Sequence, residues 1–301
     1  EAATRRIPQL LALLGAVLIG FAAMSFVAAN WSEMSKLAKL VILVGAMWAA
    51  YGAAFVLARR EHPAFAQAAV LGGLALFGAN IALIAQIYHV SSDDPGWLLV
   101  WCLVALASAW ALPSRPALAL SLLLAIFWSA WIAPQPGAAH WGFFLPWAAA
   151  LALTIRLSWL SGFHLAILTA YVWAILNAEA LATTLDCGRG EIAAIYILIS
   201  IVLWLAGLRI SQNSSRFGGA MEAYGIAASF ALLWVLQATP PESKGGALWL
   251  LPAMLAMAGA ATLGRGDIRS GRLAQRDAGG ISLIALGALL YPPLAHFVPG
   301  L

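Results

Sequence analysis

Hydrogen-bonding side chains gather in one short stretch of an otherwise apolar chain: Gln86, Tyr88, His89, Asp93 and Asp94, with Trp97 and Trp101 just beyond them. An amide, a phenol, an imidazole and two carboxylates at this spacing suit the binding of a substrate with polar groups. Gln86 and His89 would exchange hydrogen bonds with it, Asp93 and Asp94 would set the local charge, and Trp97 and Trp101 would wall a pocket. A metal is not expected here, because His-x-x-x-Asp-Asp is not a specific ligand spacing. The plainer alternative is that Gln86 and His89 only set helix register, since a hydrogen bond between membrane helices contributes about 0.6 kcal/mol on average.

These residues need an element to position them, and the pattern supplies one. Stepping back from His89 by threes and fours gives Gln86, Ala82, Ala79, Ala75, Gly72 and Ala68, a small-residue face that lets a neighbouring helix come close. On that reading Gln86 and His89 point into a helix bundle. Asn80 lies about half a turn away from His89 and about 13 Å deeper at ~1.5 Å per residue, so it needs a different partner. Ser91, Ser92, Asp93, Asp94, Pro95 and Gly96 form a cluster of cap and turn residues, after which Trp97 opens the next apolar run.

The whole chain is built in this way. Of its 301 residues 63% are hydrophobic and only 9% charged, against about 25% charged in a soluble domain. Apolar runs of a length suited to spanning helices fall near 7–30, 37–58, 64–89, 97–112, 116–133, 141–155, 159–178, 191–208, 217–238, 247–263 and 280–298. They predict an all-α polytopic transmembrane bundle of about eleven spans, a single membrane domain over 1–301. The last span is expected to be broken or cut short at Pro292 and Pro293.

Lysine and arginine test the arrangement. With the N-terminus inside, Arg5, Arg6, Arg59, Arg60, Arg115, Arg156, Arg209, Arg216, Arg265, Arg269, Arg272 and Arg276 share one side, and Lys36, Lys39, Arg189 and Lys244 the other. That imbalance follows the positive-inside rule and puts Asp93 and Asp94 outside. The net charge of +4 is spread among loops, so no nucleic-acid surface is expected. Membrane lipids and a second membrane subunit are the partners this pattern allows.

Two further polar residues fall inside apolar runs. Glu222 shares a face with Gly218, Gly225 and Ser229, about 8 Å below the inner interface, where it either serves a function or pairs with an arginine such as Arg216. His164, beside Gly162, reads as a packing histidine. The run Gly264 to Gly279 reads as an inner loop whose arginines anchor topology beside anionic lipids. Cys102 and Cys187 have no redox or metal spacing. Metalloprotease, serine-hydrolase and phosphate-loop motifs are all missing, so catalysis is not the leading expectation and no cofactor is implied.

The stretch Phe77-Gly78-Ala79-x-Ile81-x-Leu83-Ile84-x-Gln86-Ile87-Tyr88-His89, followed by Asp93 or Asp94 and Trp101, resembles the hallmark of a family of bacterial multi-spanning membrane proteins to which no function is assigned. The likeness covers roughly residues 30–135, with Trp31 and Lys36 ahead of the second span. It implies a multi-pass protein of the bacterial inner membrane. Many members are similar in carrying a soluble helical segment before the first span, which is not seen here ahead of Ile7.

The leading expectation is therefore a transporter-like membrane protein, binding a small solute or an envelope lipid or glycan precursor at the outward end of the third span. A structural subunit of a membrane complex is the alternative, and a membrane-embedded enzyme the third.

Overall fold

The structure is a computed structural model that describes residues 34–88, 94–135, 137–238 and 247–297, with isolated helical positions between 11 and 29; the side chains of 87, 88, 238 and 295–297 are not included. Among the described residues every regular element is a helix. In chain order they are α1 (Lys36–Arg59), α2 (Pro63–Tyr88), α3 (Gly96–Ala111), α4 (Arg115–Ile132), a single 3₁₀ turn (Trp141–Phe143), α5 (Phe144–Arg156), α6 (Leu160–Leu176), α7 (Ala178–Thr184), α8 (Arg189–Ile210), α9 (Ser215–Ala238), α10 (Leu250–Arg269) and α11 (Gln275–Phe297).

Short polar side chains start several of these helices. The Ser35 hydroxyl accepts from the Ala38 amide at 3.2 Å to cap α1, and Pro63, whose missing N–H would have been unpaired in any case, opens α2. Buried Ser114 caps α4 in the same way through the Ala117 amide. Glu191 reaches back to accept from the Gly188 amide at 3.0 Å, which explains how a carboxylate only 1% exposed is tolerated in the first turn of α8.

Among the described residues six helices are long and apolar enough to cross a membrane: α1, α2, α4, α8, α9 and α11. Counting α6 and α7 as one span bent by 54° makes seven. The expected runs near 97–112 and 141–155 form shorter apolar helices, and α3, with 16 residues at ~1.5 Å each, falls short of a ~30 Å hydrocarbon core. The first expected run, 7–30, lies mostly outside the described residues.

The predicted break in the last run is not found. α11 continues through Pro292 and Pro293 to Phe297, with Pro292 buried near Gly190. Proline costs such a helix backbone hydrogen bonds, but neighbouring helices and local adjustment make it tolerable in a membrane setting.

The chain falls into two compact units: Glu1–Ile132 with Trp141–Val172, and Ala133–His140 with Trp173–Leu301. In the first, α1 and α2 form a hairpin and α3, α4 and α5 pack around Leu118, Leu122, Phe143 and Leu153, all fully buried. In the second, α8 is the central helix, with Ile197, Leu198, Ile201 and Leu205 buried.

α9 and α10 meet α8 differently. α9 runs antiparallel to it, Gly218 meeting Ser211 and Gly225 meeting Ser200 and Trp204. α10 runs parallel to it, Gly259 against Val202, Gly264 against Leu205 and Gly266 against Arg209.

Candidate functional site

The predicted site falls at the turn from α2 to α3, and the described residues give its two flanks. His89 and Asp93 lie outside them, as does the Tyr88 side chain. Gln86 is exposed at the end of α2. Asp94 is also exposed, and its carboxylate accepts from the Gly96 amide at 2.9 Å, a turn that sets the entry to α3. Trp97 and Trp101 are half-buried.

Among the described residues the small-residue face of α2 is not the face that packs. Ala68 is buried, but Ala75, Ala82 and Gln86 are exposed, and a Cβ on Gly72 would meet nothing within 4 Å. The buried arc lies roughly opposite and includes Val70, Gly73, Leu74, Gly78 and Asn80. The reason lies in the neighbours' aromatic rings. The Tyr51 ring lies 3.1 Å from where a Cβ on Gly73 would sit, and the Trp101 indole covers Gly78 while its Nε1–H donates to the Leu74 carbonyl at 2.9 Å. Only glycine leaves room for these rings, so they choose the covered side. Gln86 is thereby exposed and lies away from the described helices that pack on α2, whereas the sequence pattern predicts that it points inward.

Asn80 finds its separate partner in α1: its side-chain amide donates to the Leu43 carbonyl at 3.4 Å, leaving Oδ1 without a hydrogen bond. His164 sits half-buried in α6, past Gly162, which is covered by the Trp159 ring. Glu222 is half-buried on the α9 face that meets α8, and its backbone amide lies 2.6 Å from where a Gly207 Cβ would be. The expected pairing with Arg216 is not formed; among the described residues the Glu222 side chain has no ion pair or hydrogen bond.

Trp97 and Trp101 line a cavity. It is an open groove of about 480 Å³ between α3 and α4, and its far side is made by Leu120, Leu123, Phe127 and Trp131. That volume is within the ~300–1,000 Å³ of sites that take small molecules. Among the described residues every one that lines it is apolar or aromatic, and neither Gln86 nor Asp94 is among them. Such walls suit hydrocarbon rather than a hydrated solute.

Two polar arrangements escaped the sequence reading. The first joins three residues of the second unit: Asp267 is fully buried in α10, and its Oδ1 accepts from Arg209 Nε at 3.0 Å and lies 3.3 Å from Arg272 Nη1. Its partners stand 58 residues before it and just past the helix end, too remote or too locally ambiguous for a motif to reveal.

The second arrangement ties residue 140 to the end of α6. The His140 amide donates to Asn177 Oδ1 at 2.8 Å, Trp173 Nε1 donates to the His140 carbonyl at 2.9 Å, and Asn177 Nδ2 donates to the Trp173 carbonyl at 3.0 Å. Burial pushes the His140 imidazole below its ordinary range. The unfolded chain then binds the proton first, so stability is full above the unfolded value of about 6.5 and is lost as pH falls through it. Thermal unfolding in detergent is expected to show this fall between about pH 7.5 and 5.5, and His140→Gln to flatten it. An equal slope in the variant would assign the effect to other groups.

A family model described as a predicted membrane protein (DUF2157), of unknown function, matches residues 1–118, a stretch that holds α1, α2, α3 and the residues between α2 and α3. No curated protein and no solved structure matches the chain.

Proposed function

We propose that this is a lipid-handling protein of the bacterial inner membrane, which crosses the bilayer several times with its N-terminus inside and seats a lipid's hydrocarbon chain between α3 and α4. The observation that carries this reading is the all-apolar lining of the Trp97–Trp131 groove. A protein embedded in a bilayer meets acyl or isoprenoid chains more than any other apolar ligand, and Trp97 and Trp131 supply rigid walls. Gln86, Tyr88, His89, Asp93 and Asp94, at the adjoining turn, would meet the head group of an envelope lipid or glycan precursor. Transport of that lipid would follow from the same site.

A photoreactive phospholipid with a diazirine on its acyl chain tests the proposal on the full chain in bilayers. Labelling should concentrate at 97–101 and 120–131 and fall about tenfold, equivalent to ~1.4 kcal/mol, when Ala130→Trp fills the groove. Labelling no denser there than around Trp48 and Phe55, which are simply exposed on α1, would sink it.

One observation favours a second reading, that of a structural subunit. The stripe Gly72, Ala75, Ala79 and Ala82 is left largely uncovered, as are Gly45 and Gly52 on α1, and small residues are what helix pairs in membranes use for close approach. Ala79→Leu blocks that stripe without touching the groove. Unchanged lipid labelling in this variant, together with loss of a co-purifying subunit, would favour the second reading for α2.

A further inference from the structure

We infer that Arg209 and Arg272 form a phosphate-binding clamp at the end of the second unit where α8 and α10 finish and α11 begins. Asp267 is the positioning residue. Its Oδ1 is held by both guanidinium groups, and its side chain is 0% exposed, whereas those of Arg209 and Arg272 are 37% and 27% exposed.

Each arginine is thus fastened at one end and open at the other. Arg209 spends Nε on Asp267 and Nη2 on the Leu263 carbonyl at 2.9 Å, lying across Gly266, where any Cβ would strike it. Arg272 spends Nη1 on Asp267 and Nε on the Ser270 hydroxyl at 2.7 Å. Nη1 of Arg209 and Nη2 of Arg272 keep their N–H groups without a partner among the described residues.

Two guanidinium groups held in place by one carboxylate carry a net charge of +1, and both side chains are partly exposed. This is the donor set that recognises phosphate oxygens, and holding the side chains in place beforehand removes much of the ordering cost. Arg265, Arg269 and Arg276 are exposed around it, with Asp277 the one exposed acid on the same turn, so the surrounding field also favours an anion. The clamp sits where apolar helices end, the level of phospholipid head groups, but a free phosphate would meet the same donors.

The test is native mass spectrometry on the full chain in detergent, titrated with dioleoyl phosphatidate and, in parallel, with dioleoylglycerol, which lacks the phosphate. Phosphatidate should be retained at least about tenfold better, and Arg272→Gln should remove that preference. Arg272→Lys should remove most of it too, because the ammonium keeps the charge and loses the fork. Arg276→Gln, on the same turn but outside the clamp, should bind as the parent does.

Inorganic phosphate separates the two sources: displacement of phosphatidate by it identifies recognition of phosphate alone, and failure to displace identifies a lipid site; either result upholds the clamp. Two results overturn it. One is equal loss in Arg276→Gln, the mark of a diffuse basic surface, and the other is undiminished binding in an Arg272→Gln variant whose elution and unfolding midpoint match the parent's.

Discussion

Alanine at Gly218 is expected to destabilise the protein while alanine one residue later, at Gly219, is expected to leave it unharmed or slightly more stable. A Cβ at position 218 would run into the backbone of Ser211 and lie 2.7 Å from the Gly207 carbonyl oxygen, whereas one at 219 would meet nothing within 4 Å. Backbone cannot rotate out of the way as a side chain can, so α8 and α9 must part. The same holds at Gly225, whose Cβ would lie 2.6 Å from the Trp204 amide nitrogen, and at Gly207, 2.6 Å from that of Glu222.

Overpacking of this kind costs about 1–3 kcal/mol and sometimes more, and leucine at 218 should exceed that range. At 219 the helix instead gains up to about 1 kcal/mol, the difference between alanine and glycine in a helix interior. Thermal unfolding of the two variants in one detergent decides the matter. Equal midpoints would mean that the seam between α8 and α9 is looser than described.

That seam also shows what a sequence can and cannot tell in a membrane protein. Gly218, Glu222, Gly225 and Ser229 were recognisable as one face from their spacing, and they are the face that meets Ser200, Trp204, Gly207 and Ser211. The small-residue face of α2 was just as regular and lies open. In a soluble helix the covered side announces itself by being apolar, but a membrane helix is apolar all round, so periodicity finds a stripe without saying which stripe is packed. The choice on α2 was made by Tyr51 and Trp101, rings from other helices that need Gly73 and Gly78 beneath them.

Length misled as well. Apolar runs marked where helices would be, but α3 and the helix after Trp141 are shorter than a full span, and α10 passes the expected loop start at Gly264 to end at Arg269. Gly264, Gly266 and the charges around them read as a loop because the side chain that satisfies that last turn, Arg209, comes from a different helix. The groove was half legible for a similar reason: Trp97 and Trp101 were in view, but Phe127 and Trp131 join them only through the pairing of α3 with α4.

Asp267→Asn should be the other strongly damaging single change. Asparagine keeps the shape of the side chain and can still accept one hydrogen bond, so packing is hardly altered. What disappears is the charge that holds two guanidinium groups beside each other, and removing one partner of a buried ion pair typically costs about 3–5 kcal/mol. Arg209 is more than a third exposed, so water screens part of the resulting repulsion and places the loss near the lower end, about 3 kcal/mol.

Arg272→Met should cost less, because Arg209 still answers Asp267 at 3.0 Å. The combination Arg209→Met, Asp267→Leu and Arg272→Met should regain much of what the single Asp267 variant loses, since it leaves no charge uncompensated, and apolar replacements of buried ion groups are often neutral or better. Unfolding midpoints of the three variants separate a charge effect from a packing effect. If the triple variant is as unstable as Asp267→Asn, the helix end depends on the Arg209 bonds to the Thr262 and Leu263 carbonyls rather than on charge balance.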